Sequence, residues 1–208
     1  MYTALTASSE TLAGFVLAEL RSDPRLRSFF DAPSGGTMVV TLNTPDEMVE
    51  LKQEGVSIWL YRVARDEDLL NRPPAPIGRR QFAHTPLPLR LHYLVTPLVA
   101  RKAALGSALE QTILGKLLQL FHDHPRFRGP QLLGDFTGNT RVELTVRLEP
   151  MTLEEITRVW EALTSSYELS VSYEVTVVAI ESELVDDVPP VTTAIPISGV
   201  IVSNEKVV

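Results

Sequence analysis

Four histidines are the side chains able to move protons near neutral pH, and acid–base chemistry in this chain would run through them. His122 and His124 stand as His122-Asp123-His124-Pro125 at the end of an apolar helical stripe. On a strand such a pair shares one face and can hold zinc. At a helix C-terminus the two side chains diverge, and the helix dipole already explains residues there that can carry positive charge. His92 lies within Leu87–Thr96 on the face opposite a row of leucines, the place of a packed or sheet-edge histidine. His84 sits among prolines with no evident partner. Glu154-Glu155 is explained by helix capping and Glu181/Glu183 by a solvated segment, since paired catalytic carboxylates need a convergence that adjacency does not supply. Ser34-Gly35-Gly36 is glycine-rich but matches neither the P-loop nor the dinucleotide fingerprint, and no G-x-S-x-G is present. With no cysteine, thiolate nucleophiles, disulfides and Cys-based metal sites are excluded. These residues predict no catalytic centre, no cofactor and no metal.

Two other features are more than a plain monomer needs. Asp66–Pro86 is an aperiodic connection carrying prolines at 73, 74, 76 and 86, read as surface and not as strand. Arg72, Arg79, Arg80 and Arg90 lie in or beside it as a local basic patch on a chain of net charge −7. From residue 181 onward the chain is acidic, interrupted by Pro189, Pro190 and Pro196, and still rich in β-branched residues. That combination predicts an extended arm that finds its strand partner elsewhere, with Val191, Ile195, Ile197, Val200 and Ile201 as contact residues. The acidic balance argues against nucleic acid and anionic membranes, and no apolar run approaches the ~20 residues that span a bilayer. The first basic residue is Arg21, so the start lacks the basic region of a signal peptide and a cytoplasmic protein is expected.

The elements that would position these residues follow from periodicity. Leu12, Phe15, Val16 and Leu20 predict a first helix, with Ser8 or Ser9 as its N-cap. Met38–Leu42 reads as a short strand, and Thr44-Pro45-Asp46-Glu47 opens a short helix that Gly55 stops. Ser57–Arg65 is a strand apolar on both faces, with Ile58, Leu60 and Arg62 on one and Trp59, Tyr61 and Val63 on the other. Leu87–Thr96 is a second strand, and Ala104–Phe121 is the strongest helix. Arg141–Glu149 alternates with Val142, Leu144, Val146 and Leu148 inward and Glu149 outward. Thr152 and Glu155 form a capping box for a helix burying Leu153, Ile156, Val159, Trp160 and Leu163, and Leu169–Ile180 is a long last strand. Interleaved helices and strands predict an α/β fold: one domain over 1–187, a mixed β-sheet with packed helices, and an extended C-terminal arm over 188–208.

The ordered stretches SIWLYRVARDEDLLNRPP (57–74), LPLRLHYLVTPL (87–98), EQTILGKLLQLFHDHP (110–125), VRLEPMTLEEITRVWEAL (146–163) and YELSVSYEVTVVAIES (167–182) resemble a known family. It is the N-terminal domain of the cap, or tail-terminator, proteins of extracellular contractile injection systems, the phage-tail-like particles of the antifeeding-prophage and virulence-cassette type. The resemblance covers residues 5–191 and rests on order and spacing, since none of the motifs is catalytic. It implies a structural, non-enzymatic protein that forms a homo-oligomeric, hexameric ring on the distal end of the inner tube and sheath. It further implies assembly in the cytoplasm, followed by a place in the particle. A monomeric adaptor docking through the proline-rich connection, or a small enzyme using His92 or His122 with a nearby acid, are the competing readings.

Overall fold

The computed structural model describes residues 2–69, 75–77, 81–100, 106–163 and 166–187. Helix α1 runs over Ala4–Ser22 and buries Ala4, Ala7, Leu12, Val16 and Leu20. Ser8 and Ser9 do not cap it. They lie inside the helix, where the Ser8 and Thr11 hydroxyls donate to the carbonyls of Ala4 and Ala7 at 2.8 and 2.7 Å. That back-bonding lets small hydroxyl side chains sit under the helix without unmet donors, a use of serine that competes with the capping signal in the sequence. Ser9 also meets the Tyr93 hydroxyl at 2.8 Å, a polar contact within the core. Burial pushes the Tyr93 phenol up to about 12, with the Ser9 hydrogen bond opposing the shift.

A short helix α2 (Arg27–Phe30) leads to strand β1 (Val39–Thr41) and helix α3 (Pro45–Glu50), whose Thr44/Glu47 capping box forms as expected. The stop signal differs from expectation. Lys52, at φ 55°, takes the left-handed conformation just past α3, and Gly55 instead opens strand β2 (Gly55–Arg65). Gly55 has φ 136°, and a Cβ there would collide with the Val39 backbone, so this glycine permits β1 to lie against β2. Then come β3 (Ala75–Pro76), β4 (Gln81–Ala83), β5 (Leu87–Leu98), α4 (Gly106–Asp123), β6 (Arg126–Arg128), β7 (Glu143–Leu148), α5 (Leu153–Ala162), β8 (Val171–Ile180) and β9 (Val185–Asp187).

The main sheet has six strands in the order β1-β2-β5-β8-β7-β6, and β3-β4-β9 make a second, three-stranded sheet. β1 is parallel to β2, and the other pairs of the main sheet are antiparallel, so the sheet is mixed as expected. One face carries the large core, where Leu12, Val16 and Leu20 of α1 and Ile113, Leu117 and Phe121 of α4 close over Ile58, Leu91, Tyr93, Val95, Leu144 and Val175. The other face is covered by α5, whose Ile156 and Trp160 pack on Leu94 beside Trp59 and Tyr61.

Several local expectations are corrected. The connection after Asp66 contains β3 and β4, and Pro76 is tolerated because β3 is an outer strand of its sheet. Residues 185–187, inside the 1–187 domain but part of the acidic stretch from 181 expected to find its strand partner elsewhere, pair with β4 of the same chain. Leu148 is 54% and Leu153 71% exposed, against the inward positions their spacing suggested. The register shifts between Leu60 and Arg62, so Arg62 stands opposite His92 and not in phase with Ile58 and Leu60.

Candidate functional site

Of the basic residues singled out in the sequence, Arg90 is the one the structure describes. Arg72, Arg79, Arg80, Val191, Ile195, Ile197, Val200 and Ile201 lie outside the described residues. Arg90 is not a free surface cation. Its Nη2 bonds Asp66 at 3.1 Å and Asp68 at 2.6 Å, and its Nη1 stands 3.8 Å from Glu174. Asp66, whose side chain is 5% exposed, begins the proline-rich connection, so this ion pair ties that segment to the middle strand β5. Hydrogen bonding to Asp66 raises the guanidinium pKa still further above its ordinary value.

Glu149, placed outward by the alternation of β7, is the centre of the most concentrated polar group on the α5 face. The strand ends one residue earlier, the Glu149 amide donates to the Ser172 carbonyl at 2.9 Å, and the side chain turns inward. Its carboxylate accepts from Ser172 Oγ at 2.7 Å and from the Tyr61 hydroxyl at 3.2 Å, and both oxygens stand 3.1 Å from His92 Nδ1. Burial pushes the carboxyl pKa up, but the Ser172, His92 and Tyr61 contacts outweigh it and hold the group below its ordinary value. Burial likewise raises the Tyr61 phenol, with the neighbouring Glu149 charge adding to it. In a nucleophilic triad the hydroxyl must hand its proton to the imidazole. Here Ser172 and His92 both point their bonds at Glu149, an arrangement that fastens β2, β5, β8 and the entry to α5 together. The sequence signal for it was a set of polar residues (Tyr61, His92, Ser172) on the strand faces that α5 covers.

The histidine pair at the end of α4 separates as expected. His124 packs edge-on against Phe15 at 5.4 Å, while His122 lines a groove of about 750 Å³ between α4 and the sheet. Leu118, Phe121, Val146 and the exposed Leu148 form its apolar walls. Tyr173 also lines it, with its phenol pushed by burial to about 12. Among the described residues no group of three or more His, Asp or Glu side chains is placed to hold a metal ion, and no helix is long and apolar enough to cross a membrane. Also among the described residues, β1 and β6 each pair on one side only, leaving both edges of the main sheet open.

The model of the Pvc16 N-terminal domain family matches residues 8–194. The chain belongs to this family. Two solved structures are similar to it in fold. One is the sheath/tube terminator of PVC, an extracellular contractile injection system, in its extended state: TM-score 0.54, 17% identity, 92% of this chain and 65% of that one covered. The second is the tube-terminating cap of the anti-feeding prophage, at TM-score 0.55 and 14% identity over 95% of this chain and 61% of that one. The chain therefore spans a little under two thirds of the length of either protein. No curated protein matches it.

Proposed function

We propose that the chain is a non-enzymatic terminator of a contractile injection particle. It seats on the distal end of the inner tube and sheath, stops further addition of subunits and so fixes particle length. The observation that carries this reading is agreement of fold over more than nine tenths of the chain with two proteins that end a tube or its sheath. The mechanism is geometric. A growing tube presents the same unsatisfied surface after every added ring, and a terminator matches that surface below while offering no copy of it above. Protomers close into a homo-oligomeric, hexameric ring, which needs two complementary patches on each copy. The open β1 edge is suited to accept a strand from a partner through main-chain hydrogen bonds. Residues 188–208 act as an arm beyond the 1–187 domain, with Val191, Ile195, Ile197, Val200 and Ile201 as its contact residues.

Electron micrographs of particles assembled with and without the protein test the reading. Loss of the chain should broaden the distribution of sheath and tube lengths and shift it upward. A uniform, unchanged length in its absence would exclude a terminator.

A further inference from the structure

The groove between α4 and the sheet is a place where the large core is left uncovered. Leu148 continues the inward phase of Leu144 and Val146, which are buried, yet it is 54% exposed. Beside it Leu118, Phe121 and Tyr173 line a space of about 750 Å³. Tyr173 is 3% exposed, and its hydroxyl makes no hydrogen bond among the described residues. Apolar walls with one unmet hydroxyl suit a peptide, which brings apolar side chains together with main-chain carbonyls.

The adjoining main chain is open as well. Along β7 the Val146 amide donates to the Pro125 carbonyl at 2.8 Å on the β6 side, and the Glu149 amide donates to Ser172 on the β8 side. Leu148 is in phase with Val146, so its main-chain groups face the β6 side. There β6 begins only at Arg126, opposite Thr145, and the chain running back from it soon becomes the end of α4 at Asp123. Pro125 has no amide with which to return the bond from Val146. The end of β7 therefore presents main-chain groups without a strand partner among the described residues, directly beside an apolar groove.

We propose that this groove receives residues 197–203 of a second copy of the chain, which add a short strand beside Leu148 and lay apolar side chains against Leu118, Phe121 and Val146. The stretch Ile197-Ser198-Gly199-Val200-Ile201-Val202-Ser203 is free of proline and dominated by β-branched apolar residues, whereas the tether before it carries Pro189, Pro190 and Pro196. From Asp187, where β9 ends, to Ile197 the tether spans at most about 35 Å, long enough to cross to a neighbour. β9 lies near the end of β8 at Ile180, while the groove is at Tyr173, about 23 Å back along that strand. To fill its own groove the tether would have to double back along β8. A neighbour placed head to tail brings its groove to the segment instead, and such heterologous contacts close into rings. This contact rests on the homo-oligomeric ring of the proposed function and supplies its two complementary patches.

The test is cross-linking of the full chain, which has no cysteine of its own. Gln119→Cys puts a thiol at the exposed rim of the groove, and Ile201→Cys puts one in the segment. One variant is isotope-labelled, so that mass spectrometry identifies links between copies, and the two are mixed at micromolar concentration with a short bis-maleimide. Docking holds the thiols at an effective concentration on the order of millimolar, so heterodimer should exceed that from Val49→Cys with Ile201→Cys by at least about tenfold. Leu148→Asp in the Gln119→Cys chain would bury a charge on docking and should remove that excess. Positions 49, 119 and 148 are exposed, so these variants should keep the parent's melting temperature. The contact is overturned if heterodimer does not exceed the control, if Leu148→Asp leaves it unchanged, or if a chain carrying both cysteines links to itself at high dilution. Particles that lengthen without the chain while the mixed variants fail to cross-link would keep the terminator and remove this contact alone. Cross-linking with particle length unchanged would do the reverse.

Discussion

Glu149 carries more polar contacts than any other carboxylate described above, and its consequences can be measured one substitution at a time. Glu149→Gln keeps the shape but gives up the charge that Ser172, Tyr61 and His92 address. Loss of hydrogen bonding to a charged group predicts a destabilisation of about 2 kcal/mol at pH 7, read from chemical unfolding. The pH response follows from the direction of the shift. The folded carboxyl lies below its ordinary value of 4.5, so its stabilisation is complete above that value and disappears as the pH falls through the folded pKa. The parent should therefore lose stability on acidification from pH 5 to 3 more steeply than Glu149→Gln. Equal slopes would mean that the carboxylate contributes no net stabilisation. None of this was visible in the sequence, where Glu149 falls on the outward phase of an alternating strand. The phase is broken because the strand stops at Leu148, and where a strand stops is decided by its neighbours.

At the scale of elements, legibility follows length. α4, α5, β2, β5, β7 and β8 were all foreseen because each repeats its pattern long enough to distinguish a period of 3.6 from one of 2. β3, β4, β6 and β9 have two or three residues each, too few for any period, and exist because a partner strand is present. Bulges are equally silent in sequence, which is why Arg62 was assigned to the wrong face. The α5 capping box is the opposite case, a signal that is local, chemical and complete in four residues. Thr152 Oγ1 accepts from the Glu155 amide, and Glu155 Oε2 accepts from the Thr152 amide at 2.8 Å. Thr152→Ala should cost about 1 kcal/mol of stability and speed amide exchange in the first turn of α5, while leaving α4 unchanged.

For the whole molecule, the sequence conveyed the α/β class and the family resemblance, while the polar cavity where β2 ends beside the start of β5 was not legible. Its members come from three separate stretches of chain, and only folding brings Arg62, Glu67, Arg90 and Glu174 to one place. Among the described residues the last strand ends at Asp187, so the 1–187 domain and the arm over 188–208 can be tested apart by truncation. A chain ending at Asp187 should melt within a few degrees of the full chain, a shift equivalent to about 1 kcal/mol at this size. A chain ending at Leu169 should show no cooperative transition at all, since it lacks β8. Calorimetry of the two distinguishes an appended arm from an integral part of the fold.

The place of β8 also bears on synthesis. In the order β1-β2-β5-β8-β7-β6, it is the one strand that joins two halves made earlier. Until Val171 has been made, β1-β2-β5 and β7-β6 have no strand to join them, and any ribbon they form would leave the β5 and β7 edges bare. Only when Val171–Ile180 has emerged does the keystone strand slot between them. Strands paired across such long stretches of chain close slowly, and unpaired edges invite chaperones or misassociation in the interval. Competence to dock should therefore arise abruptly, once β8 is in place, and products truncated before Val171 would be discarded before they could occupy a particle.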